Sequence, residues 1–254
     1  MLKMLYTDIR SVLLNKGFRI IIEAFVSYIL FFTILMKVLA FFLGGGLSAD
    51  DILTAYPDIG VFVITAATLL MFVNEYKEGV MKCKIQRGIS RKGIFLSAVI
   101  TSAFMAVIMT IIAAVIDILL ILIFSEGLYT MTISELGDAF LQITFASMAI
   151  AVFSTSLIMV LGGGNSSYVV GLIIAFVFKI VGMLVMDKLY PEKGLCPLTG
   201  FKLKLYTFYD RFVPYAHFTF SPRWDSSSNM IGCLGLILIS VIVGMLMFER
   251  KEIN

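Results

Sequence analysis

The sequence predicts an all-α, polytopic membrane protein, one transmembrane domain over residues 1–254 with six membrane-spanning helices. Three observations predict it. The chain of 254 residues is 60% hydrophobic and only 15% charged, with a mean hydropathy of +1.00, where soluble domains hold about 45–50% apolar residues. Its apolar residues fall in long blocks, each near the roughly 20 residues that cross a hydrocarbon layer about 30 Å thick. Its charges sit between those blocks and are sorted by sign.

In order, residues 1–17, "MLKMLYTDIRSVLLNKG", read as an amphipathic helix. Leu2, Leu5, Tyr6, Ile9, Val12 and Leu13 share one face, and Lys3, Thr7, Asp8, Arg10 and Ser11 take the other. Such a helix lies in a membrane interface. Spans one to five fall within 18–186, at 18–43, 59–74, 94–124, 139–161 and 168–186. A long segment, 187–228, precedes span six at 229–248, and 249–254 form a short tail.

The basic residues orient the chain. Lys3, Arg10, Lys16 and Arg19 precede or open span one, and Arg250 and Lys251 follow span six. Lys77, Lys82, Lys84, Arg87, Arg91 and Lys92 lie between spans two and three. The loops "GGGLSADDILTAYPD" and "SEGLYTMTISELGD" hold acidic residues and no Lys or Arg. The expected location is therefore the cell (plasma) membrane, multi-pass, with both termini cytoplasmic. Segment 187–228 runs against this orientation, with six basic and four acidic residues. No cleavable signal peptide is expected. The net charge of +3 is too small to point to nucleic acid. Cys83, Cys196 and Cys233 lack metal-ligand spacing, and the single histidine, His217, has no second histidine to join it. No metal site and no catalytic residue is expected.

The stretch 75–87 predicts a short cytoplasmic helix. Glu75 and Glu78 occupy its first turns, and Lys82, Lys84 and Arg87 its last, which complements the helix dipole. Glu78 and Lys82 are spaced as an i,i+4 pair. Tyr76, Val80 and Cys83 form its apolar stripe, Gly88 ends it, and Ser90 caps the next helix. Holding a loop in the cytosol accounts for the basic residues, but not for the early glutamates, the stripe or the glycine stop.

The order "FVNEYKEGVMKCKIQRGISRKGIF" resembles the loop between spans two and three of ABC-2 type transporter permeases, at Glu75, Gly79, Lys82, Ser90 and Arg91. The closing "FERKEI" and the layout of the whole chain are similar to that family as well. The resemblance implies a permease half that binds no cofactor itself, with ATP and Mg held by a separate ABC ATPase present in two copies, and with a second permease half, the same or a related chain, as partner in the bilayer. No G-x-x-x-x-G-K-[ST] loop occurs in the sequence. By the same resemblance, Glu75, Glu78, Gly79, Lys82, Arg87 and Arg91 couple to the ATPase. The "LGGGNSS" turn at 161–167 adds a second contact, besides ending one helix and capping the next through Asn165 or Ser166. Residues 187–228 look like the family's re-entrant hairpin. There Phe208, Tyr209, Phe212, Tyr215 and Trp224 are candidates for an external gate, or for a folded loop resting on lipid.

Four ionisable residues lie within spans: Glu23, Lys37, Asp117 and Lys179. Such residues are functional candidates by default. Lys37, Asp117 and Lys179 fall roughly 9–11 Å from the outer ends of their helices at about 1.5 Å per residue. Asp117 is expected to pair with Lys179 or Lys37, and Glu23 to reach the 74–93 stretch or stay solvated. The resulting expectation is an exporter subunit moving a hydrophobic or amphipathic substrate, such as an antimicrobial or cytolytic peptide, along a path lined by spans two and five. The rival is an ion- or proton-coupled carrier using Asp117, Lys37 and Lys179. A membrane enzyme finds no support, since HExxH and GxSxG are absent.

Overall fold

The computed structural model describes residues 2–125, 127, 132–191, 196–218 and 226–251, with side chains from residue 5 onward and not at Ser226. These form ten α-helices and one 3₁₀ turn, and no strand occurs among the described residues. The helices are α1 (Leu2–Leu14), α2 (Lys16–Phe42), α3 (Ala49–Leu53), α4 (Ala55–Lys77), α5 (Val80–Gln86), α6 (Arg91–Phe124), α7 (Ile133–Leu161), α8 (Asn165–Leu189), α9 (Gly200–Phe212) and α10 (Ser226–Arg250). The 3₁₀ turn covers Pro214–His217. Six helical segments are long and apolar enough to cross a membrane, and they fit a multi-pass membrane protein.

Polar side chains cap the start of three spanning helices, α2, α6 and α7. The Asn15 side chain accepts from the Gly17 and Phe18 amides and starts α2. Ser90 accepts from the Gly93 amide and starts α6, as the sequence predicts. Thr132 and Glu135 form a reciprocal capping box on α7. Before α8 the outcome differs: Gly164, not Asn165 or Ser166, takes the cap position, and no side chain bonds there.

The core lies between α4, α6 and α7. α4 is buried on nearly every side, from Tyr56 through Val61, Ile64 and Leu69 to Val73. By contrast, α2, α8 and α10 leave broad apolar faces uncovered, among them Phe31, Leu35, Val177, Ile180, Ile239 and Ile242. In a bilayer such faces meet lipid tails, which are as apolar as they are.

The helices alternate between two ends of the bundle. At one end lie α1, α5, the 162–164 turn and the last residues of α10. Asp8 meets Ser97 there, and Lys251 meets Val160. At the other end lie α3, the residues after α6, and the 3₁₀ turn. There the Ala49 amide donates to the Gly127 carbonyl, and Lys179 reaches Pro57 and Phe218.

The expected helix 75–87 is corrected. Glu75, Tyr76 and Lys77 belong to the spanning helix α4, and Glu78 caps its C-terminus. Gly79 turns the chain in the left-handed region at φ 70°, where a side chain is strained, and α5 starts at Val80. The Gly79 break lies inside the Glu78–Lys82 interval, so that i,i+4 spacing has no continuous helix to act on. The apolar stripe differs too. Met81 is buried and Ile85 partly so, whereas Cys83 is exposed and Tyr76 serves α4.

Candidate functional site

Lys84 is the hub of the α5 end. Its Nζ lies 3.1 Å from Asp8 Oδ1 of α1 and 3.1 Å from Glu75 Oε2 of α4. The second Asp8 oxygen accepts from Ser97 Oγ of α6 at 2.7 Å. One side chain thus ties α5 to α1 and α4, and through Asp8 to α6. The three charged side chains are only 15%, 9% and 15% exposed, so water screens them weakly. Burial pulls the Lys84 pKa down, but Glu75 and Asp8 outweigh it and raise it above the ordinary lysine value.

The sequence reading placed Asp8 on the outer, polar face of α1. In the structure Asp8 is buried, and Tyr6 and Leu13 are exposed instead. The signal was present: Leu5, Asp8 and Val12 stand at i, i+3 and i+7, so Asp8 borders the stripe that packs inward. Ser97 gave no signal, since it lies within an apolar span.

A cleft of about 340 Å³ opens beside this hub between α1 and α5, lined among others by Asn15, Asn74, Glu75, Glu78 and Arg87. Glu78, Lys82 and Arg87 are exposed around it or on α5. Arg91, by contrast, is occupied within the chain. It donates to the carbonyls of Glu249, at 2.9 Å, and of Lys251, satisfying the end of α10. Lys251 in turn donates to the Val160 carbonyl at 2.6 Å, and Tyr76 Oη to that of Met159 at 3.3 Å. Gly163, at φ 70°, lets the turn lie directly against the Tyr76 ring. The ends of α4, α6, α7 and α10 are thereby fastened together beside α5.

At the opposite end the expected pairing of Asp117 with Lys179 or Lys37 does not form. Lys179 Nζ donates to the carbonyls of Pro57 at 3.1 Å and Phe218 at 2.9 Å. Lys37 donates to the Phe124 carbonyl at 3.1 Å. Asp117 is fully buried, and neither carboxyl oxygen has a hydrogen-bond partner among the described residues. The physical reason is reach: both ammonium groups find helix-end and loop carbonyls nearer than the carboxylate. Glu23 is exposed on α2, which packs against α1, α3, α4 and α6.

Four of the five aromatic gate candidates lie together. Tyr215 is buried and stacks on Phe178 with ring centroids 5.0 Å apart. Tyr209 Oη donates to the Phe178 carbonyl at 2.6 Å, and Phe208 and Phe212 pack at 5.2 Å. Trp224 lies outside the described residues. Phe218, an aromatic of the same segment outside the gate candidates, is wholly buried, its ring in a T-shaped contact with Tyr56. Tyr56 Oη bonds Thr110 and Ser147 at 2.8 and 3.0 Å, linking α4, α6 and α7 inside the bundle. His217 Nε2 lies 3.1 Å from the Asp210 carbonyl, and Nδ1 lies 4.0 Å from Cys233 Sγ. Burial pushes the His217 pKa down to about 4, so the ring is neutral at physiological pH. No group of three or more metal-binding side chains occurs among the described residues.

Compared with protein-family models and with curated proteins, the chain matches none.

Proposed function

We propose that the chain is the permease subunit of an ABC exporter of the ABC-2 type, in the cell membrane with both termini in the cytoplasm. It moves a hydrophobic or amphipathic substrate, such as an antimicrobial or cytolytic peptide, outward. A separate ATPase, in two copies, binds the ATP and Mg, and this subunit catalyses no reaction and binds no cofactor. A second permease half, the same or a related chain, completes the path.

The observation that carries this reading is the α4–α5–α6 elbow. A short helix projects between two spanning helices, is fastened by Lys84 to α1 and α4, and leaves Glu78, Lys82 and Arg87 exposed for a partner. A push on α5 reaches α4 through Glu75 and α6 through Asp8 and Ser97 with no slack chain between them. α4 is enclosed in its own chain, so the path runs along the free apolar face of α8, with α4 behind it. The segment Gly200–Phe218 packs against α8 level with Lys179 and Gly182 and closes the path from outside, with Phe208, Tyr209, Phe212 and Tyr215 as its gate. α1 lies in the membrane interface, its exposed Tyr6, Leu13 and Leu14 among headgroups.

Co-purification with a phosphate-loop ATPase encoded beside the gene tests this. The triple variant Glu78→Arg, Lys82→Glu, Arg87→Glu, exposed in all three positions, is expected to lose the ATPase while keeping its elution profile. Transport at full rate without any ATPase overturns the reading.

The buried, unpartnered Asp117 favours one second reading, an ion- or proton-coupled carrier using Asp117, Lys37 and Lys179. Transport abolished by an uncoupler and by Asp117→Asn, with ATP hydrolysis irrelevant, selects it over the exporter.

A further inference from the structure

α10 and α7 enclose an apolar groove that shares Phe208, Phe212 and Tyr215 with the proposed gate but opens along α10, away from the path on α8. A cavity of about 370 Å³ lies between α7, α8, α9 and α10, walled by Phe153, Phe178, Phe208, Phe212, Leu236 and Ile239 among others. That size falls in the range of about 300–1,000 Å³ typical of small-molecule sites. A second cavity of about 210 Å³ continues it along α10 and shares Phe153, Leu236 and Ile239. From Ile231 to Met247 the two run roughly 24 Å along the helix at about 1.5 Å per residue. The walls on α7, α8 and α10 belong to helices long and apolar enough to cross a membrane, which puts the groove at hydrocarbon depth in a bilayer, with α9 at its mouth.

Gly235 keeps the groove open. A Cβ built on it meets no atom within 4 Å. Its neighbours on α10 are explained by packing, since Gly232 lies against the Phe212 backbone and Gly244 against Phe95 and Ser156. Gly235 sits in a helix with no close neighbour and no positive φ, although glycine lowers helix stability by about 1 kcal/mol relative to alanine. The missing side chain leaves room for something that is not protein.

The rim carries charge. Lys204, Phe208 and Arg211 stand at i, i+4 and i+7 on one face of α9, and all three are exposed. Phe208 also lines the groove, so the two cations flank its mouth. Asp210, the acidic residue between them in sequence, accepts from Tyr190 Oη at 2.9 Å.

We propose that this groove binds one acyl chain of an anionic phospholipid, with the headgroup phosphate at Lys204 and Arg211. The chain replaces the contacts that an empty groove in hydrocarbon would forgo, and the cations select an anionic head over a zwitterionic one. A second copy of the chain fits worse, because the rim would bring Lys204 and Arg211 against another basic helix.

The test uses the full chain in phosphatidylcholine nanodiscs doped with phosphatidylglycerol bearing a diazirine at the end of one acyl chain. Mass spectrometry then maps the photolabelled peptides. Labelling is expected to concentrate on α7 and α10 near Phe153 and Ile239, at least threefold above the exposed faces of α2 and α8. Gly235→Phe, which fills the groove, is expected to lower it at least threefold, while Gly235→Ala leaves it unchanged. The double variant Lys204→Gln, Arg211→Gln changes exposed side chains only. It is expected to bring labelling down to the level of an equally tagged phosphatidylcholine. Even labelling on all lipid-facing helices overturns the proposal. So does a double variant that still prefers the anionic lipid, or disulfide-linked dimers of Gly235→Cys showing a second copy in the groove.

Discussion

The two ends of the bundle handle buried charge in opposite ways. At the α5 end, Asp8, Glu75 and Lys84 find one another, and Arg91 and Lys251 close helix ends beside them. At the α9 end, Lys37 and Lys179 donate only to backbone carbonyls, and Asp117 has no hydrogen-bond partner among the described residues. The difference follows from what each end is made of. Around α5, four polar segments converge near water, so a carboxylate is always within reach of an ammonium. At the α9 end the charges stand in otherwise apolar helices, and the ammonium groups bond carbonyls, Lys37 that of Phe124 at the end of α6 and Lys179 those of Pro57 and Phe218, with Asp58 as the carboxylate near Lys179. A knot of mutually paired charges is a rigid fastening.

Removing the hub should show the largest effect. Lys84→Met leaves two buried carboxylates facing each other and is expected to lower stability by about 4 kcal/mol, in the range for a broken buried pair. Thermal unfolding in detergent reads it, and adding Asp8→Asn and Glu75→Gln should restore most of the loss. Because the folded pKa of Lys84 is raised, its contribution is complete below the ordinary lysine value and is lost as pH rises through the folded one. The gap between wild type and variant should therefore hold through neutral pH and close only in strong alkali. An unchanged midpoint would remove the contrast between the ends.

Acid should act on the other end. His217 has its pKa depressed to about 4 from an ordinary 6.5, so the stability of its neutral buried form is complete above 6.5 and declines as pH falls toward 4. The loss is expected to approach about 3 kcal/mol, and His217→Gln should flatten it. A wild type and variant with parallel acid curves would mean that the ring is not held as described.

Next in size is the fastening of the 3₁₀ turn. Lys179→Met removes the bonds to the Pro57 and Phe218 carbonyls and is expected to cost about 2 kcal/mol. It should also raise amide exchange over 213–218 while exchange in α5 stays slow. Equal loosening at both ends would show one cooperative unit instead of two. The smallest effect belongs to the surface. Lys92 and Glu249, 3.3 Å apart but 60% and 33% exposed, should change stability by about 0.5 kcal/mol or less in Lys92→Ala. A larger value would mean that the closure of α10 depends on this pair and not on Arg91.

Much of the fold was legible in the sequence because hydropathy and capping are local. Asn15, Ser90 and Thr132 stand beside the helices they cap. The site was legible only in part. The basic cluster announced that α5 mattered, yet the break at Gly79 reassigned Glu75 to α4 and made Lys84, not Lys82, the residue that holds it. Arg91 has the position of a coupling residue but satisfies the end of α10. The inward turn of Asp8 depended on which face of α1 the start of α6 would cover, and nothing within α1 states that.

By itself the sequence determined that six apolar helices form, that Ser90 caps one of them, and which ends of the bundle carry charge, since runs of side chains and adjacent caps decide these. Only the tertiary structure decided who pairs with whom. Asp8 and Ser97 lie 89 positions apart, and Lys179 and Pro57 lie 122 apart. A hydrogen bond needs its atoms within about 3 Å, and only the packing of one helix face on another brings such distant residues that close.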